Sequence, residues 1–216
     1  MPEKFHHELK TLKQDTLQMG QFAFDMLDRA LEALKTQDLL LAENVQARKV
    51  MLAHFDEQIE DKCFRLIALY QPMAKDMRII ACTLKMITYL TRIGRYGKDI
   101  AKAVPELSDQ PHIRELMSIP HMGEVVSSMI ADCLKAYEHE DISFISSISA
   151  RDDTVDALRH SIFRECITYM MEDPKNITRC TNYVMIARYL ERCGDHACKM
   201  AEKIHYLVTG ERIEIK

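Results

Sequence analysis

Two pairs of acidic residues, Asp152 with Asp156 and Glu191 with Asp195, have the spacing of a binding site in this 216-residue sequence. Residues four apart share one face of an α-helix, so each pair projects its carboxylates from one side. Pro174 lies between the pairs. In an antiparallel helical hairpin, residues equidistant from the turn stand level, and 156 with 191, like 152 with 195, average to 173.5. Four carboxylates should therefore meet. Like charges at such spacing raise one another's pKa and repel. A hard cation relieves that repulsion: carboxylate oxygens suit magnesium, calcium, manganese and iron, and donors from two helices can hold more than one ion. In the plainer reading these acids only line a solvated helix face, as most charged residues do.

The elements that must position these acids are helices. Only 6 Gly and 6 Pro occur, there is no Trp, and 47% of the residues are hydrophobic. Gly and Pro together are under half of ordinary usage, roughly 12%, so the chain has few corners, which disfavours sandwiches, barrels and doubly wound sheets. Apolar residues recur at three and four, as in Phe22, Met26, Ala30, Leu34 and in Ile162, Cys166, Tyr169, Met170, which is the helical period. Prolines at 72, 105, 111, 120 and 174 divide the chain, and Asp38, Asp76, Asp141 and Asn176 stand as N-caps. Six helices are predicted, over about 5–36, 39–70, 77–103, 122–139, 142–172 and 177–208. With 30-residue helices about 45 Å long, the shape should be elongated.

The chain also repeats. Tyr89-Leu90-Thr91-Arg92-Ile93-Gly94 lies over Tyr189-Leu190-Glu191-Arg192-Cys193-Gly194, and Ala101 over Ala201, five identities in sixteen positions. Asp56-Glu57-x-Ile59-Glu60 matches Asp152-Asp153-x-Val155-Asp156, and Leu31-x-Ala33 with Asp38 matches Leu134-x-Ala136 with Asp141. The expected fold is all-α, two tandem three-helix bundles related by internal duplication: residues 1–104, a Pro-containing linker 105–121, and residues 122–216. In the first copy Asp56 and Glu60 come level with Arg95 and Thr91 about 75.5. Arg95 replaces the counterpart of Asp195, so its guanidinium is expected to neutralise Asp56 and Glu60 directly. One carboxylate metal site, in the second bundle, is the prediction.

Other classes are constrained by composition and sequence pattern. A net charge of -4 with interspersed signs argues against nucleic-acid binding. The longest uncharged stretches, such as Thr16 to Phe24, are nine residues, against roughly 20 for a membrane span. Met1-Pro2-Glu3-Lys4-Phe5-His6-His7 lacks the basic start and apolar run of a secretory signal, so a cytoplasmic location is expected. The seven scattered Cys form no Cys-x-x-Cys and read as reduced core residues.

At the acids of the second copy the sequence resembles the PhoU family of phosphate-uptake regulators. The string Leu190-Glu191-Arg192-Cys193-Gly194-Asp195-His196-Ala197, followed by Met200-Ala201-Glu202, is similar to its signature. Gln71-Pro72-Met73-Ala74-Lys75-Asp76-Met77-Arg78 resembles the loop between its second and third helices, and Phe5-x-x-Glu8-Leu9 with Met19-Gly20 its amino terminus. The resemblance implies a non-enzymatic cytoplasmic regulator, a homodimer, that binds the phosphate ABC transporter ATPase and the phosphate-sensing histidine kinase and is peripheral to the membrane through these partners only. It also implies multinuclear metal, iron first with zinc, manganese or magnesium as alternatives, on Asp152, Asp156, Glu191 and Asp195. Thr91 and Arg95 depart from the family pattern.

Two rivals are weighed against this reading. A ferritin-like di-iron oxidoreductase needs Glu-x-x-His on two helices, which here occurs only as Glu3 to His6 and Glu202 to His205, at the chain's two ends. A metal-free helical scaffold would leave the acids to solvent. Cys193-x-x-His196 could offer zinc a soft pair, but Cys193 matches Ile93 and reads as core, while His196 could support a ligand carboxylate by hydrogen bonding.

Overall fold

The computed structural model describes residues 2–215; Met1 and Lys216, the outer ends of the two expected domains, lie outside the described residues. Among the described residues there is no strand; the chain is helices joined by short turns and irregular segments, with an irregular end over 211–215. The first half comprises α1 (Pro2–Thr36), α2 (Leu39–Ala47), α3 (Lys49–Tyr70) and α4 (Ala74–Leu107). The second comprises α5 (Ile119–His139), α6 (Ile148–Glu172) and α7 (Ile177–Thr209). Short 3-10 turns at Ile113–Leu116, Ile142–Ile145 and Pro174–Asn176 complete the path.

Several helix ends depart from the sequence expectation, α1 and α4 each beginning three residues early, and four of the departures have a local cause. Residues 39–70 form two helices, because at Arg48 the backbone tightens to a three-residue bond, Arg48 N–H to Val45 O at 3.2 Å. Arg48 is also anchored to α1, with its guanidinium 4.2 Å from the Phe22 ring and paired with Asp25. α4 passes Pro105 and runs on to Leu107. Pro105 falls in the last turn, where Gln37 Nε2 donates to Leu107 O (2.6 Å) and Ser108 Oγ to Val104 O (2.7 Å), satisfying carbonyls that a helix end leaves orphaned. α5 starts at Ile119, with Pro120 in its first turn, where a missing N–H costs nothing. Asp141 caps the 3-10 turn, accepting from Ser143 N–H at 2.8 Å, and α6 begins only at Ile148. Of the expected caps Asp38 holds its helix, accepting from Leu41 N–H at 2.9 Å. Asp76 lies inside α4, and Asn176 turns its amide to Tyr169 O at 3.2 Å.

The two halves share one core. α1 packs on α4, α4 on α7, α7 on α5 and α5 back on α1, closing a ring of four helices. The α2–α3 arm lies outside it against α1 and α4, and α6 lies outside it against α5 and α7. Gly97 permits the closest approach: a Cβ there would stand 2.9 Å from both Leu27 N and Met26 O of α1. Thr83 Oγ1 and Tyr137 OH, both fully buried, meet at 2.6 Å between α4 and α5, and Tyr96 stacks on Tyr189 at 5.7 Å between α4 and α7. The connection between the halves is pinned by His112, whose Nε2–H donates to Leu34 O at 2.7 Å. Its Nδ1 lies 3.0 Å from Tyr183 OH, which also accepts from Ile113 N–H at 3.2 Å. The accessible surface of 11389 Å² is about a tenth above the roughly 10,300 Å² of an average monomer of this mass, as long helices require. No helix among the described residues is long and apolar enough to cross a membrane.

Candidate metal centre

The hairpin of α6 and α7, closed by the Pro174 turn, carries the four acids: Asp152 and Asp156 on α6, Glu191 and Asp195 on α7. Asp173 fixes the turn by accepting from Lys175 N–H at 3.0 Å. The helices come close because residue 194 is Gly; a Cβ there would lie 3.1 Å from Asp152 Oδ1. The α6 carboxylate thus sits against the α7 backbone, above the buried Val155 and Met129.

Burial pushes the Asp152 carboxyl above its ordinary value; the Cys198 thiol bonded to it pulls the other way, and the nearby Asp156, Asp195 and Asp153 raise it further. Glu191 is raised as well, by burial first and by Asp195 next, against the lowering influence of Arg188, Arg159 and Arg192. Glu191 Oε1 accepts from Arg188 Nη1 at 2.6 Å, whereas its Oε2 is buried without a hydrogen-bond partner, with Arg192 Nε at 3.9 Å. Arg192 Nη1 reaches Asp195 Oδ2 at 3.6 Å.

Asp156 and Asp195 thus lie near enough to Asp152, and Asp195 near enough to Glu191, to oppose ionisation, while Asp156 is exposed. Among the described residues no three His, Cys, Asp or Glu side chains are gathered as a ready-made cation site. The donor set nevertheless fits a hard cation: all oxygen, two carboxyls held above their ordinary values, and one buried oxygen unpaired. Sequence reasoning missed Arg188, Arg159 and the Cys198 thiol. The signal for Arg188 was its place three residues before Glu191 on one helix; Cys198 stands three after Asp195.

The first bundle is arranged differently from expectation. Arg95 is exposed and forms no ion pair among the described residues. Instead Thr91 Oγ1 donates to Asp56 Oδ1 at 3.0 Å, and Glu60 points to solvent. Equidistance from the turn sets Thr91 level with Glu60, one turn from Asp56, but the short hydroxyl bonds the half-buried Asp56 carboxylate.

His196 faces the other side of α7, stacked on Tyr89 (5.7 Å) and Tyr96 (6.0 Å) of α4, with Nε2 buried and unpartnered. Cys193 is fully buried, and all seven cysteines are free and buried. Glu202, of the Glu-x-x-His pair near the carboxyl end, is buried and bonded to Lys199 at 2.7 Å and to Ile215 N–H at 3.1 Å.

Comparison with known proteins gives a consistent result. The family model described as "PhoU domain" matches twice, over residues 16–104 and 119–204. A "Phosphate-specific transport system accessory protein PhoU homolog" of Clostridium acetobutylicum is 35% identical over 212 residues, covering 98% of this chain and 97% of that protein. A protein of the same description from Rhizobium meliloti is 38% identical over 207 residues, 95% of this chain and 87% of that one. The crystal structure of PhoU from Pseudomonas aeruginosa superposes with a TM-score of 0.91 at 32% identity, over 96% of this chain and all (100%) of that one. The phosphate transport system regulatory protein PhoU from Streptococcus pneumoniae gives 0.89 at 31% identity, over 97% and 99%.

Proposed function

The chain belongs to the PhoU family, and on that premise we propose that it is a non-enzymatic, cytoplasmic regulator of phosphate uptake and phosphate-starvation signalling. It acts by binding the phosphate ABC transporter ATPase and its sensor histidine kinase, as a homodimer peripheral to the membrane through these partners only. The observation that carries this reading is the match along nearly the whole chain to accessory proteins of phosphate-specific transport systems. Its test is genetic. A strain lacking the chain should lose phosphate repression and regain it on complementation; normal repression and uptake in the deletion strain would sink the reading.

The second bundle is proposed to hold metal through Asp152, Asp156, Glu191 and Asp195, iron first among the cations, with zinc, manganese or magnesium as alternatives. Bound there, a cation would supply positive charge to Asp152 and Glu191, whose carboxyls burial and neighbouring acids hold above their ordinary pKa. Support comes from the unpartnered Glu191 Oε2 and from Gly194, which leaves room for the Asp152 carboxylate against α7. Elemental analysis of purified protein should find metal in the parent and little in Glu191→Ala or Asp195→Ala. Unchanged metal content in both variants overturns the assignment.

A further inference from the structure

The outer face of the second half carries an apolar strip. Phe163, Ile167 and Met171 recur at four-residue intervals on α6 and are 50%, 41% and 81% exposed; Met185 on α7 is 43% exposed. Between the helices lies a cleft of about 380 Å³, floored by Val184 and Ala187, with Arg159, His160 and Arg188 at its basic end. Scattered exposed apolar side chains are ordinary, but a continuous run at helical spacing beside a charged rim has the form of an interaction surface. The strip from Phe163 to Met171 is about 12 Å long, a little over two turns of a docked helix.

The charge at the cleft's end indicates what such a helix must carry. Arg159 is half-buried and forms no ion pair among the described residues; Glu191, the carboxylate it influences, is already bonded by Arg188 at 2.6 Å. The duplication makes both guanidiniums stand out. Counted from the matched Asp56 and Asp152, Arg159 takes the place of the fully buried Cys63; counted from Tyr89 and Tyr189, Arg188 takes the place of Thr88. Neither arginine is therefore part of the repeated scaffold, and an acidic side chain at this end would gain a charge-assisted, bidentate bond.

We propose that the α6–α7 cleft docks an amphipathic helix of a partner protein, its apolar side lying along Phe163, Ile167 and Met185 and an acidic residue meeting Arg159. The proposal rests on the reading of the chain as a partner-binding regulator for the origin of that helix, and it does not depend on metal.

The test is fluorescence anisotropy on the full chain with a labelled synthetic helix of about 16 residues, carrying Leu at helical spacing and flanking Glu. A twin peptide with Lys for Glu is the control. Saturable binding of the acidic peptide is expected, weakened about tenfold or more in the twin and in Arg159→Gln and Phe163→Asp, tenfold being about 1.4 kcal/mol. Circular dichroism should show both variants helical, since neither side chain is in the core. Absence of saturable binding to the parent, equal binding of the twin, or unchanged binding by both variants overturns the proposal. So does conversion of a dimer to a monomer by Phe163→Asp, which would assign the face to a second copy of the chain. Metal content of Phe163→Asp should equal the parent's, and repression in the deletion strain is measured separately, so failure of docking is distinguishable from failure of the regulatory reading.

Discussion

Asp152 concentrates the electrostatic problem of the candidate centre. Its charged neighbours Asp156, Asp195 and Asp153 all oppose its ionisation, while the Cys198 thiol favours it by a bond that an amide could also engage. A carboxyl whose folded pKa is raised binds protons more tightly folded than unfolded, so stability is lost as pH rises through the range above its ordinary value. Asp152→Asn should therefore raise the melting temperature of cation-free protein near pH 7, by about 2–4 °C for each kcal/mol of repulsion removed, while weakening cation binding. The measurement is thermal melting with chelator and with added divalent metal; a lower melting temperature in chelator would contradict this account of the site. The acid pairs were legible because spacing on a helix dictates a shared face. The bonds to Arg188 and Cys198 were not, since they depend on side-chain rotamers and on how closely Gly194 lets α6 approach.

At the level of the elements, glycine decides how near the helices lie. Gly94 and Gly97 stand three residues apart in α4, yet their neighbours differ in kind. A Cβ at Gly97 would meet α1 backbone atoms at 2.9 Å, whereas one at Gly94 would meet the Leu52 side chain, whose far end can rotate away. Gly97→Ala should cost about 1–3 kcal/mol by forcing α1 and α4 apart. Gly94→Ala should be near neutral, since Ala gains about 1 kcal/mol of helix propensity over Gly. Denaturant midpoints of the two variants would reveal the difference, and equal losses would show that the close α1–α4 approach is unimportant. Helix existence was readable from apolar period throughout, but ends were not. The passage of α4 beyond Pro105 depends on Gln37, a residue 70 positions from Leu107.

For the whole molecule, the two halves form one body through the ring of α1, α4, α7 and α5, with His112 fastening the connection between them. Burial, the largest cause, depresses the His112 pKa; the bond to Leu34 O opposes that and the nearby Arg179 adds to it. A histidine with a depressed folded pKa binds fewer protons folded than unfolded, so its contribution is lost as pH falls from about 6.5 toward the folded value. His112→Gln keeps a donor for Leu34 O and an acceptor for Tyr183 OH. It should cost no more than about 1–2 kcal/mol at neutral pH and should reduce the loss of stability between pH 7.5 and pH 5, read from denaturant midpoints at the two values. An unchanged pH dependence would assign the acid sensitivity elsewhere. The sequence by itself determined the all-α class, the duplication and the shared face of each acid pair, because helical period and four-residue spacing are local properties of the chain. The merging of two bundles into one core, the Thr91–Asp56 bond in place of an Arg95 ion pair, and the basic end of the α6–α7 cleft were decided only by tertiary structure. Each joins residues distant in sequence, and their meeting depends on how whole helices pack.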